Sequence, residues 1–126
     1  MTIKKQASAK WQGDIKKGKG HISTESDALS DQPFGFNTRF EGKPGTNPEE
    51  LIGAAHAGCF AMAFSLELGN QDIVPDRIDA KATVHLDEKK GGGFEISRSD
   101  ITVTLSAPGA DRDKINDAFE ATKKGC

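Results

Sequence analysis

The sequence has few cysteines and aromatics, with two cysteines, one tryptophan and no tyrosine among 126 residues. Two cysteines cannot build the disulfide scaffold of a small secreted domain, and without a C-x-x-C pair they lack the usual spacing of a zinc site. The 17 basic and 19 acidic residues give a net charge of −2, which excludes a generally basic nucleic-acid binder. No uninterrupted apolar run approaches the length of a membrane span, so no membrane partner is expected.

The chain is also poor in apolar residues, at 35% with a mean hydropathy of −0.55. A lone chain of this length buries only about two-thirds of its unfolded surface, which favours a second subunit that supplies apolar cover. The length favours one domain over residues 1–126. The first residues carry no apolar core of a signal peptide, and we therefore expect a cytoplasmic protein.

Alternation of apolar and polar residues predicts β-structure in the first third of the chain. Residues 7–12 and 21–25 form a candidate antiparallel hairpin around a turn at 16–20. Residues 26–35 carry turn formers and are predicted to be a loop. Residues 36–41 alternate cleanly and are predicted to be a third strand.

The strongest local pattern predicts a long helix. Asn47 is a good N-cap, Pro48 suits the first helical position, and Glu50 completes a capping box, so the helix should run to about Leu68. One apolar face at helical spacing contains Leu51, Ala55, Cys59 or Gly58, Met62 and Leu66.

Two longer strands, 78–86 and 94–105, follow around three consecutive glycines, with an expected irregularity near 97–99. Asp111 or Asp113 can cap a final helix. Its inner side is predicted to carry Ile115, Ala118, Phe119 and Thr122. The order of hairpin, strand, long helix, hairpin and helix predicts an α+β fold.

Cys59 lies within the long helix among apolar neighbours. From the residues alone it is either a small, inert core side chain or a reactive thiol that needs a nearby cation. Arg39 is the better candidate for that cation, and an exposed strand arginine is the plainer interpretation. His56, three residues before Cys59, could pair with it in nucleophilic catalysis, or could simply lie on the helix surface.

Residues 46–60, TNPEELIGAAHAGCF, resemble the signature helix of the OsmC/Ohr family of organic hydroperoxide reductases. Residues 36–42, FNTRFEG, and 11–14, WQGD, resemble the OsmC branch specifically. Residues 124–126, KGC, resemble the segment that carries the family's second cysteine. The resemblance spans essentially the whole chain and implies an OsmC-like fold.

The resemblance implies a thiol-dependent peroxidase with no cofactor and no metal. Cys59 matches the peroxidatic cysteine, and Cys126 matches the resolving cysteine that would form a disulfide with it. Glu49 matches the glutamate that holds the active-site arginine, and in the OsmC branch that arginine falls at Arg39. The implied substrate is an organic hydroperoxide, and the implied reductant is a dithiol.

Two departures from the family accompany this assignment. In the Ohr branch the arginine comes from the first hairpin, where this chain has Lys16 and Lys17. The family also continues past its second cysteine with a proline, the end of the helix and a last strand. We therefore expect that the C-terminal end of the family domain is missing after Cys126.

Helix geometry adds an argument for a homodimer. Glu49 and Cys59 are ten residues apart on one helix, which is about 15 Å along the axis and on different faces. In an antiparallel pair with its twofold near residue 54, Glu49 of one chain would lie opposite Cys59 of the other. The resemblance likewise implies an intertwined homodimer with active sites at the interface. The small residues expected to let the helices approach are Gly53, Ala54, Ala57 and Gly58.

Three functions remain open on the sequence. The first is the peroxidase, in oxidative and osmotic stress defence, with an expected preference for organic peroxides from the surrounding apolar residues Phe36, Phe40, Phe60 and Met62. The second is a non-catalytic stress protein that uses a Cys59–Cys126 disulfide for redox regulation. The third is a hydrolase that uses Cys59 and His56.

Overall fold

The computed structural model describes Met1–Cys126 as two compact units, Met1–Leu51 and Ile52–Cys126. The elements in chain order are β1 (Ala7–Gln12), β2 (Lys19–Thr24), β3 (Gln32–Phe34), α1 (Phe36–Phe40), α2 (Pro48–Asn70), β4 (Arg77–Glu88), β5 (Phe94–Ser106) and α3 (Arg112–Gly125). Segregated antiparallel sheets and helices confirm the α+β class.

The first unit contains a three-stranded antiparallel sheet in the order β1-β2-β3. The rings of Trp11 on β1 and Phe34 on β3 lie 5.7 Å apart across the central strand. Gly20 lies between them, and an added Cβ there would be 2.8 Å from the Trp11 ring and closer still to Phe34. Only glycine at this position allows both rings to pack over β2. The hairpin prediction is confirmed, whereas β3 falls in the segment predicted to be a loop.

The prediction of a strand at residues 36–41 is wrong, because Phe36–Phe40 forms the short helix α1. Residues i and i+4 share a face in both a strand and a helix, so Phe36 and Phe40 did not distinguish the two. Their rings stack at a centroid distance of 5.0 Å in the helix. The Thr38 hydroxyl accepts a hydrogen bond from the Gly35 N–H and donates one to the Gly35 carbonyl, both at 3.0 Å, which stabilises the helix start.

Helix α2 begins as predicted, with the Asn47 Oδ1 accepting a hydrogen bond of 2.8 Å from the Glu50 N–H. Its buried face differs from the predicted apolar face. Phe64 and Leu68 are 2% and 0% exposed, whereas Met62 and Leu66 are 75% and 64% exposed. The stripe of Ala55, Cys59, Met62 and Leu66 is therefore open in the single chain.

Gly53 packs against a different element from the second helix that was predicted to face it. It is buried, and a Cβ added there would lie 3.4 Å from Val84 Cγ2 and 3.8 Å from Ala82 Cβ on β4. Gly53 therefore allows α2 to pack on the chain's own second hairpin rather than on a second helix. Ala54 and Gly58 are exposed, and no atom lies within 4 Å of a Cβ added at Gly58.

The second unit packs α2, α3 and the β4–β5 hairpin around one core. Leu86 pairs with Ile96 and His85 with Arg98, so Ser97 is an extra residue, and the predicted irregularity is confirmed. Asp111 Oδ1 caps α3 by accepting a hydrogen bond of 2.9 Å from the Asp113 N–H. The inner side of α3 is also confirmed, with Ala118 and Thr122 buried and Ile115 and Phe119 half-buried.

Helix α2 has 23 residues and is, by length and composition alone, long and apolar enough to cross a membrane. Glu49, Glu50 and Glu67 near its ends shorten its uncharged stretch to fewer residues than a membrane span usually needs. One such helix is weak evidence of a span, because the core helix of a soluble protein passes the same test. Only 22% of its most apolar stretch is buried within the single chain, so much of its apolar surface lies open.

Candidate active site

The two cysteines meet in the second unit, although 67 positions separate them in the sequence. Cys59 lies in α2, and Cys126 is the C-cap of α3. The Cys126 thiol donates to the Cys59 sulfur at an Sγ–Sγ distance of 3.0 Å, and both cysteines are free and exposed. Because a disulfide bond is about 2.05 Å long, a shift of roughly 1 Å would allow the two sulfurs to bond.

Aromatic packing between α2 and α3 brings these sulfurs together. Phe119 of α3 packs edge-on against Phe60 of α2, with ring centroids 5.5 Å apart, and lies 5.5 Å from Phe64. These aromatic contacts fix the end of α3 beside the middle of α2. The contact between Cys59 and Cys126 is therefore a property of the core and does not depend on the side chains of the two cysteines alone.

The hydrogen bond to Cys59 raises the pKa of the Cys126 thiol above its ordinary value. The bond acts on the protonated form, because only a thiol that keeps its hydrogen can donate to the other sulfur. Cys126 is therefore held as a neutral thiol that faces Cys59. This arrangement leaves Cys59 as the sulfur that accepts.

In the first unit, Arg39 and Glu49 form the pair that the resemblance implies. Arg39 Nε donates to Glu49 Oε1 at 2.8 Å and to Oε2 at 3.3 Å. Glu49 is 8% exposed, and a carboxylate this deeply buried needs a charged partner. Arg39 comes from α1 rather than from a strand, but the guanidinium still reaches the first turn of α2. The pair fixes the guanidinium by a charge-assisted hydrogen bond.

The lysines of the first hairpin make different contacts. Lys16 Nζ lies 5.8 Å from the centroid of the Phe36 ring, and the backbone N–H of Lys17 donates to Asp14 Oδ1 at 2.6 Å. Arg39, and neither lysine, is the partner of Glu49.

An apolar cavity of about 210 Å³ adjoins Arg39. Its walls are formed by Trp11, Ile15, Phe34, Gly35, Phe36, Arg39 and Phe40. The Arg39 guanidinium lies 5.1 Å from the Phe40 ring centroid, which places a cation beside an otherwise apolar space. Of the apolar residues singled out from the sequence, Phe36 and Phe40 line this cavity. Phe60 is buried against Phe119, and Met62 is exposed.

His56 is joined to β5 and makes no hydrogen bond to Cys59. Its Nδ1 lies 2.7 Å from Ser99 Oγ, so the geometry does not supply the Cys–His pair that the hydrolase hypothesis requires. Ser99 was not predicted from the sequence, although its position along β5 carries a signal. It occupies the same phase as the inward-facing Ile101 and Val103, where a polar side chain needs a partner.

No group of three or more His, Cys, Asp or Glu side chains is placed to hold a metal ion. The groups available for chemistry are two thiols in the second unit and an arginine–glutamate pair in the first.

Comparison with known proteins identifies the relatives of this chain. Residues 40–126 match the family model described as OsmC-like protein. The peroxiredoxin OsmC of Escherichia coli (strain K12) is 52% identical over 126 residues, which are 100% of this chain and 87% of that protein. The organic hydroperoxide resistance protein OhrB of Bacillus subtilis (strain 168) is 31% identical over 108 residues, covering 85% and 76% of the two chains. The crystal structure of Bacillus subtilis OhrB superposes with a TM-score of 0.67 at 27% identity, covering 96% of this chain and 85% of that one.

Proposed function

The chain belongs to the OsmC family, and from this premise we propose that it is a thiol-dependent peroxidase that reduces organic hydroperoxides to alcohols in oxidative and osmotic stress defence. The 3.0 Å contact between Cys59 and Cys126 carries the proposal, because it supplies both thiols of a peroxidase cycle. The test is consumption of cumene hydroperoxide with dithiothreitol as the reductant. A protein that forms the disulfide reversibly but shows no turnover would instead support the redox-regulatory alternative.

In the first step the Cys59 thiolate attacks the distal oxygen of the hydroperoxide. The O–O bond breaks, the sulfur becomes a sulfenic acid, and the alkoxide leaves as an alcohol after it takes up a proton. A guanidinium favours both the thiolate and the developing alkoxide, and Arg39 is the candidate for that role. Glu49 is a positioning residue, because it acts through Arg39.

In the second step the Cys126 thiol condenses with the Cys59 sulfenic acid. An S–S bond forms, and the sulfenic hydroxyl leaves with the thiol hydrogen as water. The hydrogen bond from Cys126 already points that hydrogen toward the Cys59 sulfur. A dithiol then reduces the disulfide and closes the cycle. Such a cycle requires a compartment that keeps dithiols reduced, so we propose that the protein works in the cytoplasm.

The apolar cavity beside Arg39 supports an organic peroxide as the substrate. An apolar group on the peroxide carbon would gain from burial against Phe36 and Phe40, whereas hydrogen peroxide has no such group. The guanidinium at the cavity wall lies where the polar peroxide end of such a molecule would be placed.

We propose that the active unit is a homodimer that pairs two copies of α2. The exposed Ala55 and Cys59 lie within the overlap of such a pair, and Met62 and Leu66 continue the same apolar surface beyond it. An antiparallel pairing centred near residue 54 would place the Arg39–Glu49 pair of one subunit opposite Cys59 of the other. The contact of Gly53 with β4 leaves Ala54 and Gly58 as the small residues that are free to face a second helix.

Substitution Cys126→Ser should leave the first oxidation intact and block disulfide formation, because peroxide attack requires only Cys59. Mass spectrometry after one equivalent of peroxide should find one added oxygen on Cys59, and excess peroxide should add more. The wild type should instead lose two hydrogens and link Cys59 to Cys126. A wild-type protein that keeps both thiols free after one equivalent would contradict the pairing.

Substitution Glu49→Gln should lower turnover about tenfold or more, since the neutral amide orients the Arg39 guanidinium less strongly. Glu50→Gln is the matched control, because it removes the same charge from the same helical turn but has no arginine partner. Peroxide turnover and the rate of Cys59 alkylation by iodoacetamide should fall together in Glu49→Gln only. Equal losses in the two variants would point to the helix dipole rather than to Arg39.

A further inference from the structure

A second cavity, of about 340 Å³, opens in the second unit at the end of α3. Its lining residues are His56, Phe60, Ser99, Asp100, Ile101, Phe119, Lys123 and Cys126. It lies within the size range of small-molecule sites. The peroxide step described above does not use it.

Only one of the two reactive sulfurs borders this cavity. Cys126 lines it, and Cys59 does not, although the two sulfurs are 3.0 Å apart. A molecule in the cavity therefore reaches the disulfide from the Cys126 side. Thiol–disulfide exchange depends on which sulfur is attacked, since the two choices release different thiolates.

We propose that this cavity is the entry site for the reductant, and that a low-molecular-weight thiol bound there attacks Cys126 Sγ and releases Cys59. The proposal rests on the proposed peroxidase cycle and specifies its last stage. The attacking thiolate forms a bond to Cys126, the Cys59–Cys126 bond breaks, and Cys59 leaves with the electron pair. A second thiolate then takes the reductant from Cys126, which completes a two-electron reduction.

The direction of attack also suits the catalytic cycle. Attack at Cys126 makes Cys59 the leaving group, so Cys59 returns directly as the thiolate that the next peroxide requires.

The cavity offers a small thiol both apolar and polar surface. Phe60, Ile101 and Phe119 supply apolar surface, and the hydrogen bond between His56 and Ser99 holds α2 to β5. Lys123 borders the opening, where its Nζ lies 3.1 Å from Glu120 Oε1 and 5.7 Å from the Phe119 ring centroid. Exposed contacts of this kind contribute little to stability, so the side chain can move aside for a ligand.

The direct test identifies the sulfur that is attacked. The disulfide is first formed with diamide, so that this test does not depend on peroxide chemistry. Brief exposure to 2-mercaptoethanol, acid quenching and alkylation should place the thiol adduct on Cys126 and the alkyl group on Cys59. We expect about a tenfold excess of this product when the time course is extrapolated to zero. Equal labelling, or an adduct mainly on Cys59, would overturn the proposal.

A second variant pair tests the cavity itself. Lys123→Trp fills the opening, whereas Lys124→Trp places the same ring on the adjacent exposed residue, which does not line the cavity. Reduction of the diamide-formed disulfide by dithiothreitol should slow about fivefold or more in Lys123→Trp and stay unchanged in Lys124→Trp. Equal rates would refute the entry site. Failure of peroxide to form the disulfide would refute the peroxidase cycle alone.

Discussion

Replacing Cys59 by serine is expected to abolish peroxide turnover, with a loss of about three orders of magnitude or more. A serine hydroxyl is not appreciably ionised near neutral pH, so it cannot replace a thiolate as the attacking group. The variant should keep its fold, because Cys59 is exposed and the core depends on Phe60 and Phe64. Coupled consumption of cumene hydroperoxide measures the loss, and circular dichroism verifies the fold.

The comparison with Cys126→Ser makes this result specific. Each variant removes one thiol from the same 3.0 Å contact, so a general effect of losing that contact would be the same in both. In a single turnover with one equivalent of peroxide, only Cys59→Ser should fail to react. Cumene hydroperoxide reduction that survives in Cys59→Ser would refute Cys59 as the peroxidatic residue.

Much of the local structure could be predicted because its causes are local. The cap at Asn47, the cap at Asp111 and the alternation along β4 and β5 depend on neighbouring residues only. The strand predicted at 36–41 was wrong because Phe36 and Phe40 share a face in either structure. The hydrogen bonds of Thr38 with Gly35 favour the helix, and five residues of alternation are too few to reveal them.

The buried face of α2 required tertiary information. Two apolar stripes run along this helix, and the sequence pattern favoured the stripe that includes Met62 and Leu66. The core uses the other stripe, with Phe60 and Phe64, because Phe119 of α3 packs against it. A hydrophobic pattern shows that a face can be buried, but it does not show which partner buries it.

Some residues of the candidate site could likewise be predicted from the sequence, and others could not. The short motif around Cys59 and the resemblance to the family indicated the two cysteines and the pair of Arg39 with Glu49. Ser99 and Lys123 were not predicted as site residues, because what brings them together is the cavity between β5 and α3, which both of them line. That cavity comes from long-range packing, and no spacing in the sequence encodes it.

The exposed stripe on α2 leads to the second large effect, which is loss of activity on substitution Gly58→Trp. No atom lies within 4 Å of a Cβ at Gly58, and this glycine is inside a helix, so the single chain can accept the ring and gain helix propensity. A second α2 packed at this place cannot accept it. The variant should be a folded monomer by sedimentation, with turnover reduced about a hundredfold or more because the site lacks the partner's residues.

Gly69→Trp provides the matched control for this experiment. It places the same side chain in the same helix, also with no atom within 4 Å of its Cβ, but 15 residues from the proposed twofold near residue 54. It should remain dimeric and active. Comparable losses in both variants would show that a tryptophan on α2 disturbs folding. A monomeric Gly58→Trp protein with normal turnover would show that one chain holds the whole site. In that case Arg39 and Glu49 would not act from the partner, and the 15 Å separation along α2 that motivates the dimer would need another explanation.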